Sequence, residues 1–92
     1  MRQLRVKVMN AVGLHARPAA VFAGEAGRFA SQIRVRNATR NSPWVDAKSI
    51  LSVLTLGVEQ HHEIEITTDG PDEEQAAAEL QRLISTDFAG KL

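Results

Sequence analysis

From residue 3 to residue 9 apolar and polar positions alternate, with Leu4, Val6 and Val8 on one side and Arg5 and Lys7 on the other. A period of two marks a half-buried strand. Asn10 to Leu14 breaks the pattern as a loop containing Gly13. From Ala16 to about Gly27 the spacing changes to that of a helix, with Ala19, Ala20, Phe22, Ala23 and Ala26 recurring and Gly27 as the stop. Ile33 and Val35 then alternate with Arg34 and Arg36 in a second strand, and Asn37 to Pro43 reads as a polar turn. Trp44-Val45 is a short third strand. Asp46 is expected to cap a short helix carrying Ile50, Leu51, Val53 and Leu54, ended by Gly57. Ile64 and Ile66 alternate with Glu63, Glu65 and Thr67 in a fourth strand. Asp69-Gly70-Pro71 turns into a last helix, which runs to about Ser85 on a stripe of Ala76, Ala77, Leu80, Leu83 and Ile84. The acidic run Asp72-Glu73-Glu74 suits that helix's positive end. The tail from Thr86 is expected to fray. The order is β-α-β-β-α-β-α, and strands with one apolar face call for helices on that face only. The expected class is α/β (α+β), an open-faced sandwich with a four-stranded antiparallel sheet and three helices on one side.

The chemistry concentrates in Gly13-Leu14-His15-Ala16-Arg17-Pro18-Ala19. Pro18 lacks an N–H and is tolerated only in the first turn of a helix. That puts His15 at the N-cap. A helix start offers unpaired N–H groups and the positive end of the macrodipole, together an anion site. Arg17 adds a permanent charge. Imidazole is a good nucleophile near neutral pH, and its phosphoramidate is labile enough to pass onward. The helix start and Arg17 both disfavour a further positive charge on the ring, which keeps it nucleophilic. These residues together point to transient phosphorylation of His15.

Composition narrows the alternatives. The chain of 92 residues carries 11 basic and 11 acidic side chains and no cysteine. A single domain over residues 1–92 is expected, with its core in about 3–85 and a tail over 86–92. Balanced charge and the lack of an aromatic platform argue against nucleic acid. Thiolate chemistry and thiolate zinc sites are excluded. No segment approaches the ~20 apolar residues of a membrane helix, and the N-terminus lacks a signal peptide's apolar run, so a cytoplasmic location is expected. His61-His62 invites a metal reading, yet neighbouring side chains chelate poorly, and a solvated turn is the simpler expectation.

Three stretches resemble the HPr family, the histidine-containing phosphocarrier proteins of the bacterial phosphoenolpyruvate-dependent sugar phosphotransferase system. Residues 13–19 resemble its active-site motif. Asp46-Ala47-Lys48-Ser49-Ile50-Leu51, leading to Leu56-Gly57, resembles its regulatory-serine helix. Gly70-Pro71-Asp72-Glu73-Glu74 and the alanine/leucine pattern after it resemble its last helix. The resemblance spans about residues 3–85. It implies a relay in which phosphorylated enzyme I hands a phosphoryl group to His15 Nδ1, and His15 hands it to the EIIA components of sugar permeases. It implies that Arg17 and the amides of Ala16 and Arg17 hold the phosphoryl oxygens. It further implies that Ser49 is modified by HPr kinase/phosphorylase, and that Ala20, Ile50, Leu51 and Leu54 dock onto partners. No cofactor and no metal are implied, the chain acts as a stoichiometric carrier and not an enzyme, and a monomer suffices.

Three features depart from the family pattern. The 37–43 stretch is longer than usual. Glu59-Gln60-His61-His62 stands where relatives often carry a glycine-containing turn. The tail beyond Ser85 is extended, which leaves open any contact from the C-terminus to the site. Other readings also stay open. With Asp46 as N-cap, Ser49 falls at N3, either as a phosphosite or as an ordinary capping residue. Ile50, Leu51 and Leu54 are either core or docking surface. An alternative recipient of the phosphoryl group is a nitrogen-related branch or a dihydroxyacetone kinase. The chain is alternatively a regulatory module whose Ser49-phosphorylated form binds a transcriptional regulator or an enzyme.

Overall fold

The computed structural model describes residues 1–88 of the chain. Its elements in order are β1 (Arg2–Lys7), α1 (Ala16–Gly27), β2 (Gln32–Asn37), β3 (Val45–Asp46), α2 (Ile50–Leu54), β4 (Glu63–Asp69) and α3 (Glu73–Ser85). The strands form one antiparallel sheet in the order β1-β4-β2-β3. This is the open sheet with three helices that the alternation predicts.

Register sorts the two faces. Val6 pairs with Ile64, Leu4 with Ile66, and Val35 with Ile66. These side chains line the inner face, on which Phe22, Ala26, Val53, Leu80 and Ile84 complete the core. The outer face carries a charged ladder in which Glu65 lies opposite both Arg5 and Arg36. Arg36 contacts Glu65 at 2.6 Å, and Arg5 contacts Glu63 at 2.6 Å. The alternation of residues 3–9 therefore becomes a dry face and a wet face, as a sheet covered on one side requires.

Several local expectations need correction. The third strand is Val45–Asp46, one residue later than Trp44-Val45. Trp44 instead lies at the sheet edge with the Arg36 guanidinium 5.6 Å from its ring centroid. Asp46 does not cap α2. Its carboxylate accepts from the Lys48 N–H at 2.9 Å in the preceding turn, and Ser49 is the N-cap, its Oγ accepting from the Ser52 N–H at 3.2 Å. Ser49 is thus not at N3. Asp72 is the N-cap of α3, but its side chain turns away from the helix. The carboxylate accepts from the N–H groups of Ala30 and Ser31, each at 2.9 Å, and from Ser31 Oγ at 2.5 Å.

The chain after α3 does not fray at once. Asp87 takes a left-handed φ of 54°, its N–H donates to Ile84 O at 3.1 Å, and the Phe88 N–H donates to Leu83 O at 2.8 Å. This pair of bonds is a Schellman cap, and it returns Phe88 to the core at 1% exposure. The rest of the expected tail, residues 89–92, lies outside the described residues. Among the described residues no helix is long and apolar enough to cross a membrane.

Candidate functional site

His15 is the N-cap of α1, with extended backbone angles of φ −109° and ψ 154°. Its ring is exposed and makes no capping bond. Counting from that cap, Ala16, Arg17 and Pro18 are the first three helical positions. Pro18 has no N–H, so the open donors of the first turn are those of Ala16 and Arg17. Both residues are exposed, and Arg17 has no ion pair among the described residues. The structure thus brings the His15 ring, the N–H groups of Ala16 and Arg17, which make no hydrogen bond among the described residues, and the exposed Arg17 to one helix end.

The loop before His15 is fixed by backbone contacts. The Gly13 N–H donates to Asn10 O at 3.1 Å, and Asn10 Nδ2 returns a bond to Gly13 O at 2.8 Å. The Leu14 N–H donates to Val58 O at 3.0 Å, which pins the loop to the chain leaving α2, while the Leu14 side chain is buried. Gly13 is required here. Its φ is +61°, and a Cβ would stand 2.2 Å from Val58 O and 2.7 Å from Glu59 Cα. Ala16 holds a positive φ of 48° at the first helical position. A left-handed non-glycine residue costs on the order of 1–3 kcal/mol, and such strain gathers at functional sites.

Beside the ring is a shallow cleft lined by Ala11, Val12, His15, Glu59 and Gln60. Nothing local in the sequence announces Glu59 and Gln60 as neighbours of His15. They arrive through tertiary pairing. The His61 N–H donates to Val8 O at 2.6 Å, the Val8 N–H donates to His62 O at 2.8 Å, and Gln60 Nε2 donates to Met9 O at 3.0 Å. The two histidines divide their tasks. His61 is exposed with φ +76°, filling the left-handed position that a glycine turn would supply. His62 is half-buried, and its Nδ1 accepts from the Glu59 N–H at 3.1 Å and faces Asn37 Nδ2 at 3.1 Å. It thus locks the turn together.

The remaining candidates sit nearby with mixed exposure. Ala20 is exposed on α1. On α2, Ile50 is 45% and Leu51 77% exposed, whereas Leu54 is half-buried and packs against the core. The apolar stripe therefore splits into an outward pair and an inward residue. Met9 and Val12, at 45% and 55% exposure, add apolar surface near the loop that periodicity does not single out. Ser49 is half-buried at the start of α2, with its Oγ engaged as the cap.

Comparison with known proteins agrees with this geometry. Residues 3–86 match the family model described as the PTS HPr component phosphorylation site. A phosphocarrier protein HPr of Cupriavidus necator is 40% identical over 88 residues, 96% of either chain. A multiphosphoryl transfer protein of Vibrio cholerae is 43% identical over 74 residues, 80% of this chain, and the match spans only 18% of that longer protein. The crystal structure of an HPr from Thermoanaerobacter tengcongensis superposes with a TM-score of 0.91 at 39% identity, covering 100% of both chains. By its sequence motifs, its sheet order and these matches, the chain belongs to the HPr family of phosphocarrier proteins of the phosphotransferase system.

Proposed function

We propose that this chain is a stoichiometric carrier that accepts a phosphoryl group on His15 Nδ1 from phosphorylated enzyme I and passes it to EIIA proteins of sugar permeases. The observation that carries the reading is the exposed His15 ring at the start of α1, next to the unclaimed amides of Ala16 and Arg17. The Nδ1 lone pair attacks phosphorus as the bond to the donor breaks and its electron pair leaves with the donor. Transfer to the acceptor repeats the step in the opposite sense. Such in-line transfer depends on positioning and electrostatics, which the partner enzyme completes. The chain turns over only by being recharged, so it is a carrier and not an enzyme. The cytoplasm is where phosphoenolpyruvate and these partners meet, and a monomer is sufficient.

Ser49 is the regulatory position in this reading. It adjoins the exposed pair Ile50 and Leu51, and a phosphate on its Oγ adds nearly two negative charges to an apolar docking face. HPr kinase/phosphorylase is the proposed modifying enzyme, and a transcriptional regulator is a proposed reader of the modified form.

The test is direct. The protein is incubated with enzyme I and labelled phosphoenolpyruvate, and the label is examined for acid lability and base stability. Label of that kind in the parent, absent in His15→Ala, is the expected result. Equal labelling of the two proteins, or none in either, overturns the assignment.

A further inference from the structure

Glu59, an acidic residue, lines the same cleft as His15. Its Oε2 accepts a hydrogen bond from the Arg40 guanidinium at 2.8 Å. Both side chains are more than half exposed, at 55% for Arg40 and 59% for Glu59. Arg40 comes from the 37–43 turn, whose place is fixed by buried Asn37. Asn37 Oδ1 accepts from the Arg40 N–H at 3.2 Å, and Asn37 Nδ2 donates to Leu56 O at 3.1 Å. The backbone of Glu59 is fixed as well, by its N–H bond to His62 Nδ1 and by the Leu14–Val58 pairing next to it. The pair is therefore held at the rim of the site by two anchored segments, both far from His15 in sequence.

An anionic residue that shares a cleft with a phosphoryl acceptor works against the phosphorylated state. We infer that Glu59 shortens the life of the phosphohistidine and raises its tendency to give up the phosphoryl group, and that Arg40 sets how strongly it does so by partly neutralising it. The inference rests on the carrier reading of His15 and adds to it a pair that tunes the carrier's discharge. Like charge between the Glu59 carboxylate and the phosphoryl oxygens destabilises the charged form. In hydrolysis a water oxygen bonds to phosphorus while the Nδ1–P bond breaks. The bonding pair returns to the ring, one water proton goes to the imidazole, and the other stays on the released phosphate. Relief of that repulsion as the phosphoryl group leaves lowers the barrier to the step. Arg40 opposes this effect. Glu59 is a positioning charge here and not a catalytic residue.

The experiment needs no partner protein. Parent, Glu59→Gln, Arg40→Ala and Arg40→Lys are phosphorylated with phosphoramidate. Loss of phosphohistidine is followed by phosphorus NMR at neutral pH and low salt, with His15→Ala defining any signal from His61 or His62. Glu59→Gln is expected to lengthen the His15 phosphohistidine half-life about two- to fivefold, the range for charges interacting through a solvated cleft. Arg40→Ala is expected to shorten it by a similar factor, and Arg40→Lys to stay near the parent. Added salt should shrink the differences. An unchanged or shortened half-life in Glu59→Gln overturns the proposal. So does a shift of Glu59→Gln and Arg40→Ala in the same direction, which would mean that losing the pair only loosens the turn. Chemical labelling also separates two failures. Half-lives that follow charge without any transfer from enzyme I sink the carrier reading alone, whereas enzyme I transfer with charge-blind half-lives sinks this one.

Discussion

At the scale of single residues, Ser49 shows how one side chain serves the fold and the surface together. Its Oγ is the cap of a helix only five residues long, so the hydroxyl has a structural task whatever modifies it. Two substitutions separate the tasks. Ser49→Ala removes the acceptor for the Ser52 N–H and should cost about 1 kcal/mol, the usual loss for an N-cap. Ser49→Asp keeps an acceptor at the cap, because aspartate ranks with serine there, and should leave stability within about 0.5 kcal/mol of the parent. The aspartate also sets a charge beside Ile50 and Leu51. Transfer from phosphorylated enzyme I should therefore slow in Ser49→Asp and stay near the parent rate in Ser49→Ala. Urea unfolding and transfer kinetics on both variants check this, and equal transfer rates for parent and aspartate variant would reduce Ser49 to a cap. The expectation of Asp46 as cap failed for a simple reason. Aspartate and serine are equally good caps, and composition alone does not say which of two starts a short helix.

At the scale of elements, helix and strand placements were legible because each is written in a period. The spacing of Ala19, Phe22, Ala23 and Ala26 matches α1, and the alternation of Leu4 and Val6 matches β1. That strand runs Arg2–Lys7, so it starts one residue before and ends two before the expected strand of residues 3–9, leaving buried Val8 just beyond it. Likewise the motif around His15 was legible, since glycine, histidine and proline at fixed offsets specify a loop, a cap and a first turn. The end of α3 was not. Its left-handed position is filled by Asp87, where a glycine would have signalled a stop, and Phe88 follows three polar residues outside any period. The walls of the cleft were hidden for a related reason, since Glu59 and Gln60 meet His15 only through pairing of segments about fifty residues apart. The C-terminal cap can be tested by itself. Phe88→Ala removes a ring that is 1% exposed and packed in the core, and should cost about 3–5 kcal/mol in urea unfolding with little change in helix content. A loss below about 1 kcal/mol would return the tail to the frayed state that its polar residues suggest.

At the scale of the whole molecule, Asp72 joins parts that periodicity treats separately. It stands at the head of α3, and its carboxylate takes the donors of Ala30 and Ser31 in the connection from α1 to β2. Those bonds, the Ser31 hydroxyl foremost and the Ala30 amide next, hold the Asp72 carboxyl below its ordinary value. Glu63 is lowered too, by its bond to Arg5 across the β1–β4 pair. A carboxyl whose folded pKa lies below its unfolded one binds fewer protons in the folded state. Its contribution is thus complete above the unfolded value and disappears as pH falls through the folded one. Stability should accordingly decline below about pH 4, the ordinary carboxylate range. Asp72→Asn isolates the share of this one linkage. The amide retains a single acceptor oxygen and turns its own donors toward donors, so the variant should be less stable than the parent at pH 7. The difference should narrow as pH falls below the ordinary carboxylate range, because the parent's Asp72 gives up its charge there and weakens the same bonds, while Glu63 titrates alike in both proteins and cancels. Urea unfolding at a series of pH values measures the gap. A gap that stays constant down to pH 2 would show that the charge on Asp72 contributes nothing to holding helix and connection together.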